Sequence, residues 1–210
     1  MDGSRRLGQP LHGAGPRRRE GEGNGMRIIG GRLRGQALAG PGTATGLRPT
    51  ADRVRESLFN LLAHGPYGDP PPPEGRRALD LFAGTGALGL EALSRGAAGV
   101  VFVETGRPGL DLLRRNIAAL GVAGSAQVLA RDATRTGPLP GAPFDLVFLD
   151  PPYDRGLGER ALAAALAGGW LAPGALVVWE ERAPVTVPEG LSLRDARRYG
   201  ETVISILTLD

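Results

Sequence analysis

Beyond residue 76, apolar residues fall into short continuous runs, set apart by glycine-rich turns and by stretches with helical spacing. The runs Ala78-Phe82, Val100-Val103, Ala126-Ala130, Leu146-Leu149 and Leu176-Trp179 are too short and continuous for amphipathic helices. They suit central strands of a parallel sheet, covered on both faces. Helical spacing falls between several of them, near Ala87-Ser94, Gly109-Leu120 and Gly158-Ala167. This alternation predicts an α/β fold, a doubly wound and mostly parallel sheet. Leu191 to Leu209 reads instead as two strands around Tyr199-Gly200, an antiparallel pair closing the sheet edge.

Upstream the pattern is weaker. Arg27-Ile28-Ile29-Gly30-Gly31 and Gln36-Ala37-Leu38 flank a Gly-rich turn and predict a small hairpin. Thr50 suits the N-cap of a helix from Ala51 to Ala63, with Val54, Leu58, Leu61 and Leu62 as its apolar stripe. Pro66 to Gly75, with four consecutive prolines, reads as a linker. Residues 1–25 carry only two leucines and no periodicity, too little to offset the entropy of ordering, so disorder is expected. The expected division is a basic tail (1–25), an N-terminal extension (26–75) and a main α/β domain (76–210).

At 210 residues, 41% hydrophobic, the chain has room for one such domain and a modest extension, not for a second large domain. It has no cysteine, which excludes disulfides, thiolate metal sites and cysteine nucleophiles. No apolar run of membrane-spanning length and no signal peptide is apparent, so a cytoplasmic protein is expected. All 25 basic residues are arginine, and they are unevenly placed: residues 1–25 net +2, residues 26–60 net +4, and the remainder −3. A basic arm ahead of a mildly acidic body suits contact with phosphates, because neutralised phosphates release counterions. A solvated basic tail is the plainer alternative.

Candidate chemistry begins after the first strand. Asp80-Leu81-Phe82-Ala83-Gly84-Thr85-Gly86-Ala87-Leu88-Gly89 puts a glycine turn between strand and helix, where backbone N–H groups can be aimed at a ligand. Gly84, Gly86 and Gly89 satisfy G-x-G-x-x-G, as many ordinary strand-to-helix turns do. Glu104 ends the second strand, placed to accept hydrogen bonds from ribose hydroxyls. To this point a nicotinamide cofactor and S-adenosylmethionine fit equally well. Asp132 follows the third strand and Asp150-Pro151-Pro152-Tyr153 the fourth, so four acids should converge on one cleft, an arrangement that suits a sulfonium cation.

The tetrapeptide is the most informative feature. An exocyclic base amine has its lone pair delocalised into the ring, so a site must hold it by its hydrogens. Asp150 can accept one, and a carbonyl kept rigid by Pro151 and Pro152 another, while Tyr153 offers a flat face for a base. Together with the glycine turn it resembles the amino methyltransferases of class I, Rossmann-like, which carry a D/N-P-P-Y/F motif. Residues 26–35, MRIIGGRLRG, and 46–60, GLRPTADRVRESLFN, are similar to signatures of the RsmD family, and the resemblance extends through Gly84-Arg95 and Gly169-Leu171 almost to the C-terminus.

That resemblance implies methyl transfer from S-adenosylmethionine to N2 of a guanine in 16S ribosomal RNA; an assembling or complete small subunit as substrate and a monomer that needs no metal are expected. It places Asp80, Phe82, Ala83, Gly84, Thr85 and Gly86 at the methionine part of the cofactor, Glu104 at the ribose, and Asp132 with Ala133 at the adenine. Asp150 to Tyr153 receive the base. Thr105-Gly106 departs from the family pattern, where a second acid or polar residue often follows the ribose carboxylate, and residues 1–25 match nothing in it. Arg32, Arg34, Arg48, Arg53 and Arg55 are expected to grip RNA phosphates, with a solvated helix face as the alternative for Arg53 and Arg55. Methylation of adenine N6 or of a protein amide uses the same tetrapeptide. A nicotinamide oxidoreductase leaves that tetrapeptide unexplained, and a non-catalytic RNA-binding factor leaves the whole constellation idle. His12 and His64 are expected at the surface, Trp170 and Trp179 in the core.

Overall fold

The computed structural model describes residues 25–41, 52–153 and 155–210. Seven strands form one sheet: β1 (Arg77–Leu81), β2 (Gly99–Glu104), β3 (Ala126–Ala130), β4 (Phe144–Leu149), β5 (Leu171–Glu181), β6 (Leu191–Tyr199) and β7 (Thr202–Leu209), in the order β3-β2-β1-β4-β5-β7-β6. The first five run parallel, and β7 pairs antiparallel with both β5 and β6. The doubly wound sheet and its antiparallel edge are therefore as the apolar runs predict. β5 starts earlier than its run, because Leu171 already pairs with Phe144 across a register shift that precedes Leu146↔Leu176.

Among the described residues four α-helices, α1 (Asp52–His64), α2 (Ala87–Ser94), α3 (Arg107–Ala119) and α4 (Leu157–Ala167), accompany the sheet. The sheet separates two cores. One joins Leu58, Phe59 and Leu62 of α1 and the apolar side of α2 to Phe102, Phe148 and Ile204. The other holds Leu79, Val147, Leu162, Trp170 and Trp179. All eight residues of α2 are buried, as a helix must be when covered on both sides. Gly89 makes its close approach to β2 feasible, since a Cβ there would stand 2.3 Å from the Phe102 ring.

The N-terminal segment forms the expected small hairpin: Arg27 and Ala37 make an antiparallel bridge around a 3₁₀ turn at Gly31–Leu33, and the N–H groups of Ile28, Gly35 and Leu38 donate to the carbonyls of Gln36, Ile28 and Met26 at 2.8–2.9 Å. Its further partners lie on the main domain. Met26, Ile28, Leu33 and Leu38 all point into the core, and the N–H groups of Ile29, Gly30, Leu33 and Ala39 donate to Glu91, Ser94 and Asn116, which pins the hairpin to α2 and α3. The proline-rich stretch packs against the main domain. Tyr67, Pro72 and Pro73 are buried, the Tyr67 hydroxyl donates to Asp195 at 3.2 Å, and the Gly75 N–H donates to the carbonyl of Gly96 at 2.9 Å. Thr50 lies outside the described residues. Among the described residues no helix is long and apolar enough to cross a membrane.

Candidate active site

In an open parallel sheet, ligands bind beyond the carboxyl ends of the strands, where the strand order reverses. Here that point lies between β1 and β4, and a cleft of about 720 Å³ opens there. Its lining includes Asp80, Phe82, Ala83, Gly84, Thr85, Glu104, Asp132 and the whole of Asp150 to Tyr153. The four carboxylates thus share one cleft. Gly86 and Ala133 do not line it. Gly86, at φ 82°, caps α2 with its Cβ position 2.4 Å from Leu113, and Ala133 is buried beneath the surface.

The turn after β1 is strained where it meets the cleft. Phe82 sits at φ 62°, a left-handed conformation that costs a residue with a side chain on the order of 1–3 kcal/mol. Gly84 and Gly86 follow at φ 53° and 82° without that penalty. The Ala83 N–H to Val103 carbonyl bond of 3.0 Å and the Gly84 N–H to Glu104 bond of 2.8 Å tie the turn to β2. The other Glu104 oxygen accepts the N–H groups of Thr105 at 2.9 Å and Gly106 at 2.6 Å. A Cβ on Gly106 would lie 3.0 Å from that oxygen, so glycine suits this departure from the family pattern.

Asp80 is buried at the base of the turn and accepts the Gly89 N–H at 2.9 Å. Burial pushes its carboxyl up to about 7, opposed by that N–H and reinforced by the charge of Glu104. Asp132 behaves oppositely: the hydroxyl and N–H of Thr134 both donate to it at 2.8 Å and hold its carboxyl below the usual range. Tyr153 donates its hydroxyl to Glu180 at 2.8 Å and lies 3.4 Å from the hydroxyl of Thr202. Burial first, then the Glu180 charge, keep that phenol protonated throughout the physiological range. The Arg182 guanidinium stands 5.5 Å from the centre of the Tyr153 ring.

Several lining residues escape sequence reasoning: Glu180, Tyr199 and Thr202 from the last three strands, Val54 from α1 and Pro41 from the N-terminal segment. Glu180 carries the same signal as Glu104, an acid closing a buried apolar run. Tyr199 and Thr202 flank a turn and carry none. Asn116 carries no sequence signal either. Buried on α3, its amide exchanges two hydrogen bonds with Ala39, at 2.7 and 3.1 Å, and donates to the carbonyl of Thr85 at 3.0 Å, joining the N-terminal segment to the glycine turn.

Among the arginines expected at phosphates, Arg32, Arg34 and Arg53 are exposed, and Arg48 lies outside the described residues. Arg55 is a correction. It is completely buried and bonds to Asp52 at 2.8 Å and to the carbonyl of Arg27. Its helix face turns toward α2, where buried Glu91 draws a cation inward. Trp170 and Trp179 are in the core and His64 is exposed, as expected; His12 is outside the described residues.

Comparison with known proteins places this arrangement among relatives. The family model described as conserved hypothetical protein 95 matches residues 26–208. Ribosomal RNA small subunit methyltransferase D of Escherichia coli strain K12 is 44% identical over 179 residues, 84% of this chain and 86% of its own. The putative rRNA methyltransferase YlbH of Bacillus subtilis is 37% identical over 194 residues, covering 86% and 97%. The solved structure of the putative methyltransferase yhhF from Escherichia coli superposes with a TM-score of 0.73 at 40% identity, over 89% of this chain and 98% of that one.

Proposed function

Since the chain belongs to the RsmD family of methyltransferases, matched from residue 26 to 208, we propose that its cleft transfers the methyl group of S-adenosylmethionine to the exocyclic N2 amine of a guanine in small-subunit ribosomal RNA. Methylation of ribosomal RNA with S-adenosylmethionine as donor comes with membership of the family. The N2 position, the roles of individual side chains and the use of residues 26–75 as an RNA-binding extension are our reading. The observation that carries it is the pairing of β1 with β4, Leu81 against Leu149, so that the glycine turn and Asp150-Pro151-Pro152-Tyr153 leave neighbouring strands and enter one cleft.

The cleft fits S-adenosylmethionine on the chemistry of its donors: a lining rich in carboxylates, Asp80, Glu104, Asp132 and Asp150 among them, for a ligand with cationic groups, and a turn in which Gly84 leaves the backbone open to close approach. Asp80 and residues 82–85 would hold the methionine part, with Gly86 shaping the turn behind them, Glu104 the ribose and Asp132 the adenine, with Ala133 packed beneath it. When bound, the cofactor supplies an electrophilic methyl group. The target guanine leaves its stack, because a base inside a helix cannot present its amine to the cleft. Asp150 accepts one amine hydrogen and a backbone carbonyl of the proline pair another, which aims the nitrogen and gives its proton a place to go. Tyr153, fixed through its hydroxyl on Glu180, presents its ring to the base. Exposed Arg32, Arg34 and Arg53 hold phosphates outside the cleft.

The test is transfer of labelled methyl to small ribosomal subunits lacking the modification, with naked rRNA and DNA alongside, followed by nucleoside analysis. Label in N2-methylguanosine from the subunit is the expected result. Label in N6-methyladenosine would overturn the choice of base, and label in DNA alone the choice of substrate.

A further inference from the structure

The cleft contains a carboxylate that the reading above uses only as an anchor for Tyr153. Glu180 is buried, 6% exposed, at the carboxyl end of β5. β4 and β5 are paired in parallel with Leu149 opposite Trp179. The next residues along are Asp150 and Glu180, which leave adjacent strands roughly 4.8 Å apart and line the same cleft. Two acceptors therefore stand side by side where the target base is to be received. A carboxylate has about four lone-pair positions, so accepting the Tyr153 hydroxyl at 2.8 Å does not by itself prevent Glu180 from accepting from a base.

Base edges differ in what they offer such a pair. Guanine presents two adjacent donors, N1–H and the N2 amine. Adenine presents its N6 amine beside N1, an acceptor whose lone pair would face a carboxylate. Resting on the guanine-N2 reading, we infer that Glu180 is the specificity-determining residue of the base site, accepting the guanine N1–H while Asp150 holds the N2 amine. The site then rejects adenine because a buried carboxylate would be left facing a lone pair, and an unmade charged hydrogen bond in a buried site is penalised more heavily than a made one is rewarded. Tyr153 and Thr202 keep the carboxylate in place, since the Tyr153 hydroxyl reaches both.

The discriminating substrate is 2-aminopurine at the target position, in RNA from which the small subunit is reconstituted. It keeps the 2-amino group that is methylated but lacks the N1–H. Wild-type protein should methylate it about 100-fold more slowly than guanine. In Glu180→Gln, whose amide can accept from guanine N1–H or donate to 2-aminopurine N1, that ratio should collapse to within a few-fold. Glu180→Ala should lose the discrimination as well, and S-adenosylmethionine binding measured by calorimetry shows that each variant retains its cleft. Tyr153→Phe, which removes the hydroxyl that holds the Glu180 carboxylate in place, should lower the rate and weaken the discrimination, but less than either Glu180 substitution. An unchanged ratio in both Glu180 variants, with N2-methylguanosine still the wild-type product, would overturn the role of Glu180 alone. A wild-type product other than N2-methylguanosine would overturn the guanine reading itself, and the inference with it.

Discussion

The Glu91 carboxylate and the Arg55 guanidinium face each other at 3.7 Å with neither side chain exposed to solvent. The same carboxylate accepts the N–H groups of Ile29 and Gly30 at 2.8 Å and pairs with Arg95 at 2.7 Å. One buried charge thus fastens α1, α2 and the N-terminal segment to one another. Such a site adds little over an apolar one of the same shape, but removing one member strands the rest. Glu91→Ala should destabilise the protein by about 3–5 kcal/mol. Chemical denaturation reads the loss directly, and limited proteolysis should show the segment around Arg27 to Ala39 cut first. Unchanged stability and an unchanged cleavage pattern would contradict this picture.

Arg53 and Arg55, two positions apart on α1, should respond in opposite ways. Arg53 is exposed and Arg55 is not. Arg53→Ala should leave the melting temperature unchanged, weaken RNA binding and reduce the log–log salt slope by about one. Arg55→Ala should lower the melting temperature, because Glu91 and Asp52 lose a shared partner. Equal effects of the two on RNA binding, with no loss of stability for Arg55→Ala, would return Arg55 to the RNA surface.

The Asp80 carboxyl, pushed up to about 7 by burial, gives two pH dependences of opposite sign. Below that value it is protonated and neutral, so affinity for a cationic ligand should rise as pH goes from 6 to 8 and then level off. Stability should move the other way. Between the ordinary carboxylate range and 7 the folded state holds a proton that the unfolded state has released, so the contribution of this group falls as pH rises through that window. Asp80→Asn should flatten both curves. Calorimetric titration of S-adenosylmethionine across pH, beside thermal melts in the same buffers, checks the pair; curves that keep their slopes in the variant would assign the titration to another group.

Asp150→Ala should reduce methyl transfer by about 10³-fold or more while leaving cofactor affinity within a few-fold, as expected of a group that orients the acceptor amine and receives its proton. Single-turnover rates with saturating cofactor give the first quantity and equilibrium titration the second. Full activity would remove Asp150 from the mechanism.

What could be read from the sequence follows from where the information is local. Buried parallel strands announce themselves as continuous apolar runs, and the turn after β1 as closely spaced glycines, so the sheet and the two ligand-facing loops of β1 and β4 were legible. Arg55 was not, because its environment is made by Glu91, 36 positions away. The hairpin around Gly31 was legible, but its attachment was not: the side chains of Glu91, Ser94 and Asn116 hold its outward N–H groups, and no local pattern connects them to residues 29–39. Glu180 lay between these cases. It closes an apolar run as Glu104 does, yet its place beside Asp150 depends on the pairing of β4 with β5.

The strand that ends the sheet has a consequence of its own. β6 presents exposed Arg194, Arg197 and Arg198, and its pairing with β7 slips between Leu193 and Asp195. A bare edge beside strands this apolar would be a template on which further chains could add, one backbone ladder after another. Like charges and an interrupted register make this edge a poor template for a second copy, so the hydrophobic runs that make the fold easy to recognise are guarded on this side of the sheet.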